Sequence, residues 1–427
     1  MAVYIGDYVM TKRTFLALIL IGIVAGLVGF ILTELMHIMQ HLAYGYSSDD
    51  FQSFLGGISA ASPQRRLGAL LATGFVGGLG WFLIHRYGSP LVSIGQAVKD
   101  GSKQLPTITT CVHAALQMIT VGMGSPLGRE VAPREMSAAL SNPIRRLLNT
   151  DPKDQSLLVA CAAGAGLAAV YNAPLAATIF TLETLLLSWD RKSLISALIA
   201  CGVATIVIRL TLGSVVQYEM EPALFSFTSI PWTLAFSPLL ALAVLLFKKS
   251  DVSLPQLNPK SPWAILLSIL AFGLIGLLAI WYPSILGNGK PGNQLTFSDL
   301  ISAQYALELF AAKWGAILLA ALAGAYGGRL TPSMMLGSTL GLASAVLWNT
   351  GLISLGIDPS YGVNVGGAAF IGAALYLGVN QKMPLTACVF LIELSHWSIE
   401  YAFPICLGMG LSLACFHWGK GYILKEN

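Results

Sequence analysis

Glu130 is an ionisable residue at the predicted start of a helix, within the stretch Gly-Arg-Glu-Val-Ala at residues 128–132. The N–H groups at the start of a helix favour negative charge, so this carboxylate and a free anion can compete for one site. A charged group in an apolar sequence is costly and usually has a function. The alternative is a structural ion pair, either Arg129 with Glu130 or Arg134 with Glu135.

Two hydroxyl groups offer hydrogen bonds to an anion without contributing charge. Ser89 lies on a turn with the sequence Gly-Ser-Pro-Leu-Val at 88–92, and Tyr422 follows the last apolar stretch. A serine before an apolar run also commonly caps a helix. A tyrosine just past a span commonly anchors it at a membrane interface. On the residues alone, both interpretations stay open for Ser89 and for Tyr422.

Two motifs occur twice, in the same order. Residues 174–183 read Pro-Leu-Ala-Ala-Thr-Ile-Phe-Thr-Leu-Glu, and residues 384–393, 210 positions later, read Pro-Leu-Thr-Ala-Cys-Val-Phe-Leu-Ile-Glu. The Gly-Arg motif described above recurs as Gly-Arg-Leu-Thr-Pro at 328–332, which places Arg329 and Leu330 at the start of a second such helix. Repeats of this kind indicate a membrane protein of two related halves, with its substrate site where broken helices meet.

The composition supports a membrane protein. Of the 427 residues, 55% are hydrophobic and only 10% are charged, and the mean hydropathy is +0.72, whereas a soluble domain carries about 25% charge. Several apolar stretches exceed the roughly 20 residues that a spanning helix needs, while others are shorter and suggest half-helices buried inside protein. The stretches cover residues 14–40, 67–84, 107–127, 157–189, 193–213, 231–247, 263–286, 304–326, 333–354, 364–380, 383–395 and 402–418.

The chain divides into two predicted halves, residues 1–220 and 221–427, which we expect to pack as one integral membrane domain. Residues 14–40 have no small-residue cleavage site after them, so we interpret them as a retained helix. The chain ends shortly after the last apolar stretch, which predicts no soluble regulatory domain. The net charge of +4 is scattered through loops and predicts no nucleic-acid surface.

Neither a metal site nor an enzyme is predicted. Glu34, His37 and His41 could share one helix face, but no second cluster accompanies them, so a core or interfacial role is favoured. The six cysteines lie in apolar stretches without ligand spacing and are interpreted as small core residues. An intramembrane hydrolase built on Ser125 and His113 is disfavoured because the sequence has no G-x-S-x-G motif.

Together these segments resemble the CLC family of chloride channels and chloride/proton antiporters. The stretch at 88–92 is similar to the family's G-S-G-I-P, the stretch at 128–132 to G-R/K-E-G-P, and the stretch at 327–332 to G-G-I-F-A-P. Tyr422 lies where the family has its pore tyrosine, if one residue before it is missing. Residues 168–183 are the closest match of all, and the resemblance covers most of the chain.

The resemblance implies an all-α polytopic protein of two inverted-topology repeats with broken helices, acting as a homodimer with one pathway in each subunit. It implies chloride as the bound substrate, protons as the coupled ion, no cofactor, and the plasma (inner) membrane of a prokaryote as the location. Ser89 and Tyr422 would hold the anion through their hydroxyls, and Arg329 and Leu330 through their backbone amides. Glu130 would be the gating glutamate, which occupies an anion site when ionised and leaves it when protonated.

The chain departs from the family pattern at several positions. Val131 replaces a glycine, so positive φ is no longer cheap there. Arg329 replaces an apolar residue and adds a positive charge near the anion path unless Glu135 or Glu183 pairs with it. Thr184 occupies the position where antiporters usually carry an internal proton-transferring glutamate.

Chloride/proton exchange is the function that we predict for this chain, with a passive chloride channel as the alternative and fluoride/proton exchange after it. Glu183, next to Thr184, could receive a proton on the cytoplasmic side and pass it along ordered water toward Glu130. The fluoride-exporting branch typically has G-R-E-G-T and lacks the serine, whereas this chain keeps Ser89. Chloride is therefore favoured over fluoride.

Overall fold

The computed structural model describes residues 2–5, 8–46, 54–220, 225–255 and 258–424. Helices make up most of the described structure. They are α1 Lys12–Tyr44, α2 Phe54–Ala60, α3 Pro63–Tyr87, α4 Ile94–Lys99, α5 Thr107–Gly122, α6 Val131–Leu148, α7 Gln155–Tyr171, α8 Pro174–Phe180, α9 Arg191–Leu212, α10 Ser229–Val252, α11 Trp263–Trp281, α12 Lys290–Phe297, α13 Ala303–Leu322, α14 Leu330–Ser354, α15 Val365–Gln381, α16 Pro384–Ser395 and α17 Ala402–Ile423.

Among the described residues, ten helical segments are long and apolar enough to cross a membrane. The first of them, Lys12–Tyr44, contains the predicted retained helix at 14–40. The prediction of an all-α polytopic membrane protein with broken helices is confirmed. Three further apolar helices are too short to span a membrane alone: Thr107–Gly122, Pro174–Leu186 and Pro384–Ser395.

The helix break between α7 and α8 follows from two adjacent residues. Asn172 ends α7 in the left-handed conformation, with φ of 56°, which asparagine adopts more readily than most residues. Pro174 then begins α8 at a position where its missing N–H costs no hydrogen bond. The apolar stretch at 157–189 is therefore two helices and not one.

The chain forms two compact units, each assembled from separate stretches, and three of the five boundaries between them fall within α1, α3 and α5. Residues 221–224, at the predicted boundary between the halves, lie outside the described residues, and the division into two repeats stays a prediction. Unit 1 comprises Met1–Ile38, Gly80–Ile119 and Arg129–Gln217, and unit 2 comprises Met39–Leu79, Thr120–Gly128 and Tyr218–Asn427.

Helix α7 is the centre of unit 1. Every residue from Leu157 to Tyr171 is buried, and a helix that is apolar on all sides is expected in the interior. Eight of its 17 residues are alanine or glycine, so its neighbours approach closely. A Cβ added at Gly166 would lie 2.4 Å from the carbonyl oxygen of Pro133 in α6. This contact brings α7 against the first turn of α6, where Glu130 is located.

In unit 2, α14 and α15 pack through glycines. A Cβ at Gly337 would lie 2.2 Å from the carbonyl oxygen of Gly372, and a Cβ at Gly341 would lie 2.5 Å from that of Ala368. Small residues at helix interfaces let backbones approach, which is the main source of packing energy between helices in a membrane. The position of α14 matters because its N-terminus carries Arg329 and Leu330.

A short antiparallel hairpin precedes α1. Its strands, β1 Ala2–Ile5 and β2 Tyr8–Thr11, pair in register from Ala2 opposite Thr11 to Ile5 opposite Tyr8. The sequence did not predict these strands, since the apolar pattern that marks the spans begins only at residue 14.

Candidate functional site

Glu130 precedes the first residue of α6 and is completely buried, with 0% of its surface exposed. Its side chain does not cap its own helix. Instead, the hydroxyl of Tyr171, at the end of α7, donates a hydrogen bond to Oε2 of Glu130 over 3.2 Å. A buried carboxylate requires partners of this kind because removing it from water is otherwise costly.

Arg129 lies beside the same tyrosine. Its guanidinium carbon is 5.1 Å from the centroid of the Tyr171 ring, within the range of a cation–π interaction. One guanidinium nitrogen, Nη2, donates to Oε1 of Gln217 over 2.9 Å. Gln217 and the Tyr171 ring thus fix the orientation of Arg129, while the Tyr171 hydroxyl donates to the carboxylate of Glu130.

Further along α6, Arg134 and Glu135 have different surroundings. The guanidinium of Arg134 lies over the ring of Phe180, 4.4 Å from its centroid, and interacts electrostatically with both Glu130 and Glu135. Glu135 accepts a hydrogen bond from Gln117 over 2.9 Å and lies 3.5 Å from Nε2 of His113. The positive charge of Arg134 is therefore available to the Glu130 carboxylate as well as to its sequence neighbour.

The two Gly-Arg motifs meet at their glycines. Within unit 2, the N–H of Gly128 donates to the carbonyl of Gly328 over 2.6 Å, and the N–H of Gly328 donates back over 2.8 Å. Gly327 lies close to Leu127, since a Cβ added there would be 2.6 Å from the Leu127 Cβ. The repeated motifs, 200 residues apart in the sequence, thus share one antiparallel bridge.

Arg329 does not pair as the sequence analysis suggested. Its guanidinium binds the carboxylate of Asp251, at the end of α10, with both terminal nitrogens, one of them over 2.8 Å. Arg329 immediately precedes α14, and its side chain does not cap that helix. Leu330, the first residue of α14, is buried. The Asp251 carboxylate thus largely compensates the guanidinium charge. The groups of Arg329 and Leu330 that could contact an anion are their backbone N–H groups at the start of α14.

The repeat at 174–183 and 384–393 extends to the backbone. Asn172 and Lys382, 210 residues apart, both adopt the left-handed conformation, with φ of 56° and 57°. Each precedes a helix that begins at a proline, Pro174 or Pro384. The same local geometry at the same offset supports the relation between the two halves that the sequence suggested.

Glu183 and Thr184 lie in a π-helical turn, Thr181–Leu186, that continues α8. Such turns are rare and occur frequently at functional sites. Both residues are half-buried, and Oγ1 of Thr184 makes no hydrogen bond with the described residues. The second copy of the motif, α16, is α-helical through Ser395 instead.

Ser89 and Tyr422 both lie at the surface of their units. Ser89 is exposed just after α3, and its N–H donates to Oγ1 of Thr109 over 3.2 Å. Tyr422, in the last turn of α17, is 74% exposed, and its ring lies 5.5 Å from that of Trp418. The next helix, α4, is capped by Ser93, whose side chain accepts from the N–H of Gln96, so the alternative of Ser89 as its cap is wrong. The roles of Ser89 and Tyr422 as anion ligands, and of Tyr422 as an interfacial anchor, stay predictions.

Lys313 is a buried ionisable residue that the sequence analysis missed. It lies in α13 with no exposed surface, and its Nζ donates to the carbonyl oxygens of Ile285 over 2.8 Å and Gly287 over 2.9 Å. The N–H of Gly287 in turn donates to the carbonyl of Gly124. A lysine inside the apolar stretch at 304–326 was the available signal.

Two other residues of the site were also missed. Tyr171 lies within the best-matching segment, 168–183, yet nothing in the sequence pairs it with Glu130. Asp251 lies in a polar loop in the sequence but in the last turn of α10 in the structure. Among the described residues, no group of three or more His, Cys, Asp and Glu side chains could hold a metal ion.

Comparison with known proteins identifies the family. A profile of the family described as voltage gated chloride channel matches residues 68–417. The H(+)/Cl(-) exchange transporter ClcA of Vibrio cholerae serotype O1 is 28% identical over 404 residues, covering 88% of this chain and 81% of ClcA. The voltage-gated ClC-type chloride channel ClcB of Salmonella typhi is 29% identical over 421 residues, covering 94% of each chain.

Solved structures agree in fold. The structure of a slow cyanobacterial Cl-/H+ antiporter superposes with a TM-score of 0.80 at 19% identity, covering 97% of this chain and 96% of that one. A CLC-type fluoride/proton antiporter gives a TM-score of 0.72 at 18% identity, covering 94% and 95%. With the family profile matching 350 of its 427 residues, this integral membrane protein belongs to the voltage gated chloride channel (CLC) family.

Proposed function

We propose that this protein exchanges chloride for protons, with Glu130 as the group that couples the two ions. The observation that carries the proposal is the complete burial of the Glu130 carboxylate at the start of α6. A helix start favours an anion, and Glu130 itself is one when ionised. Protonation removes that charge, so proton binding and anion binding at this position are linked.

The exchange cycle uses this competition. While ionised, the Glu130 side chain occupies the position of an anion at the helix start. When it takes up a proton, it no longer competes, and chloride enters. When Glu130 releases the proton, its side chain is negatively charged again and competes with the bound chloride. Chloride must therefore leave before the ionised side chain can return to the helix start, and this links the movement of the two ions.

The remaining anion ligands are assigned by the family resemblance. Ser89 and Tyr422 donate their hydroxyls to chloride, and the start of α14, at Arg329 and Leu330, contributes backbone N–H groups. The bidentate pair with Asp251 supports a backbone role for Arg329, because its guanidinium is already occupied. Chloride is bound as the substrate, and no cofactor is required by this scheme.

The proton path on the other side involves Glu183. The hydroxyl of Thr184 does not ionise and so cannot take up a proton as a glutamate does. Its Oγ1 lies in the π-helical turn and makes no hydrogen bond with the described residues, so it can hold a water molecule. Glu183 takes up the proton and passes it along such water toward Glu130. This route is slower than one through a second glutamate at position 184, since water must be ordered for each transfer.

The names of the relatives support both chloride/proton exchange and the alternative, a passive chloride channel. ClcA is named as an exchange transporter and ClcB as a voltage-gated chloride channel. Thr184 fits either function, because a channel needs no internal proton acceptor and the family resemblance implies that some exchangers lack the glutamate as well. We assign the protein to the plasma (inner) membrane of a prokaryote. We propose that it acts as a homodimer with one pathway in each subunit. Each subunit is one integral membrane domain built from the repeats 1–220 and 221–427.

Flux from proteoliposomes tests the proposal. With a chloride gradient imposed, the wild-type protein should move protons against the chloride flow, seen as a change of external pH that an added proton ionophore dissipates. Glu130→Gln should abolish the proton movement and leave chloride flux, because a neutral amide neither carries a proton nor competes as an anion.

A matched control uses Glu34, whose side chain in α1 is 44% exposed. Glu34→Gln should retain both fluxes. If chloride-driven proton movement survives Glu130→Gln, Glu130 is not the coupling group. If the reversal potential of the wild-type protein follows chloride alone at every imposed pH gradient, the protein is a channel.

A further inference from the structure

We infer that Tyr171 is a positioning residue for Glu130: its hydroxyl holds the ionised carboxylate in the buried conformation and thereby sets the pH at which the anion pathway opens. The inference rests on the proposed function of Glu130. It adds a residue from α7 to the groups that control the protonation and position of Glu130.

The contact is a direct hydrogen bond between two buried groups. Tyr171 is 3% exposed and Glu130 is 0% exposed, and the phenolic oxygen lies 3.2 Å from Oε2 of the carboxylate. A phenol at neutral pH donates, and an ionised carboxylate only accepts. The bond is therefore strongest when Glu130 is ionised, and protonation of Glu130 weakens it.

The tyrosine is itself held in place. The break at Asn172 ends α7 directly after Tyr171, and the close approach of Gly166 to Pro133 presses α7 against the first turn of α6. The guanidinium carbon of Arg129 lies 5.1 Å from the centroid of the Tyr171 ring. In this arrangement the hydroxyl donates to the carboxylate, and Glu130 must break that bond to leave its buried position.

Other charged groups also act on Glu130. Arg134, one turn further along α6, interacts electrostatically with it, and Arg129 precedes it in the chain. Both are positive and favour the ionised carboxylate regardless of its exact orientation. Tyr171 differs from them because a hydrogen bond has a direction, so it favours one conformation of the side chain as well as one charge state.

Tyr171→Phe is the minimal test, since it removes the hydroxyl and keeps the ring beneath Arg129. Without this hydrogen-bond donor the ionised carboxylate is less stable in the buried conformation, so Glu130 takes up its proton at a higher pH. The pH of half-maximal chloride transport should rise by about one unit, the equivalent of one hydrogen bond to a charged group. The half-saturating chloride concentration should fall, because the carboxylate competes less well.

Tyr376→Phe is the matched control. Tyr376 in α15 is as buried as Tyr171, but its hydroxyl makes no hydrogen bond with the described residues. Its pH profile should equal that of the wild type. If Tyr171→Phe behaves like Tyr376→Phe, or lowers the transport rate without moving the pH profile, Tyr171 has only a structural role and the inference is wrong.

A double variant separates this inference from the proposed function. In a Glu130→Ala background the carboxylate is absent, so adding Tyr171→Phe should change neither the pH profile nor the chloride affinity. An undiminished effect of Tyr171→Phe in that background would show that the tyrosine acts elsewhere. The proposed function has its own test: it fails if Glu130→Gln keeps proton movement, whatever Tyr171→Phe does.

Discussion

Replacing Gly372 by alanine should destabilise the protein through the interface between α14 and α15. A Cβ at this position would lie 2.4 Å from the carbonyl oxygen of Gly337 and 3.1 Å from the Cα of Gly341. Both neighbours are backbone atoms, which cannot turn aside as a flexible side chain can. The two helices must therefore move apart by about 1 Å to restore an ordinary carbon–oxygen contact.

The magnitude follows from two opposing terms. Overpacking a tightly packed interface costs about 1–3 kcal/mol. Alanine in place of glycine within a helix recovers up to about 1 kcal/mol, because the unfolded glycine is more flexible. The net loss should be about 1–2 kcal/mol. Gly315, in the middle of α13, is the matched control, because nothing lies within 4 Å of a Cβ added there.

Thermal unfolding of the detergent-solubilised protein, followed by the fraction that stays monodisperse after heating, measures both variants. Gly372→Ala should lower the apparent melting temperature, while Gly315→Ala should leave it unchanged or raise it slightly. If Gly372→Ala is as stable as Gly315→Ala, the interface tolerates separation and the close glycine packing does not limit the stability of unit 2.

Two further predictions concern the anion ligands and a helix cap. Replacing both Ser89 and Tyr422 by alanine should weaken chloride binding by about 1–3 kcal/mol, the cost of lost hydrogen bonds to a charged group. Unchanged affinity in calorimetry, with the fold intact, would show that neither hydroxyl is an anion ligand. Asp190 caps α9, and hydrogen bonds from the Ser188 hydroxyl and the Ser193 N–H hold its pKa at about 2, below its ordinary value of 3.8. Asp190→Ala should therefore cost about 0.5–2 kcal/mol at neutral pH. This difference from the wild type in chemical unfolding should shrink as the pH falls below about 4 and be lost below about 2, because the pKa of Asp190 is depressed in the folded state. A difference at pH 2 as large as that at pH 7 would contradict the capping role.

Hydropathy alone located most of the spans. The stretches at 14–40, 193–213 and 364–380 correspond closely to α1, α9 and α15. This was possible because the cost of placing polar side chains in a bilayer is a local property of the sequence. The same reasoning singled out Glu130, whose complete burial agrees with that expectation. Helix α6, by contrast, was not among the apolar stretches. Arg134, Glu135 and its two C-terminal arginines lower the hydropathy of the segment, although one of its faces is buried.

Partners across the fold could not be read from the sequence. The bridge between Gly128 and Gly328, the pairing of Arg329 with Asp251 and the bond from Tyr171 to Glu130 each join residues that are distant along the chain. A residue type shows that a buried polar group needs a partner, but which partner it receives depends on how closely helices pack. The sequence by itself therefore indicated that Glu130 is a carboxylate at a helix start in an apolar chain, and only the tertiary structure decided which groups hold it there.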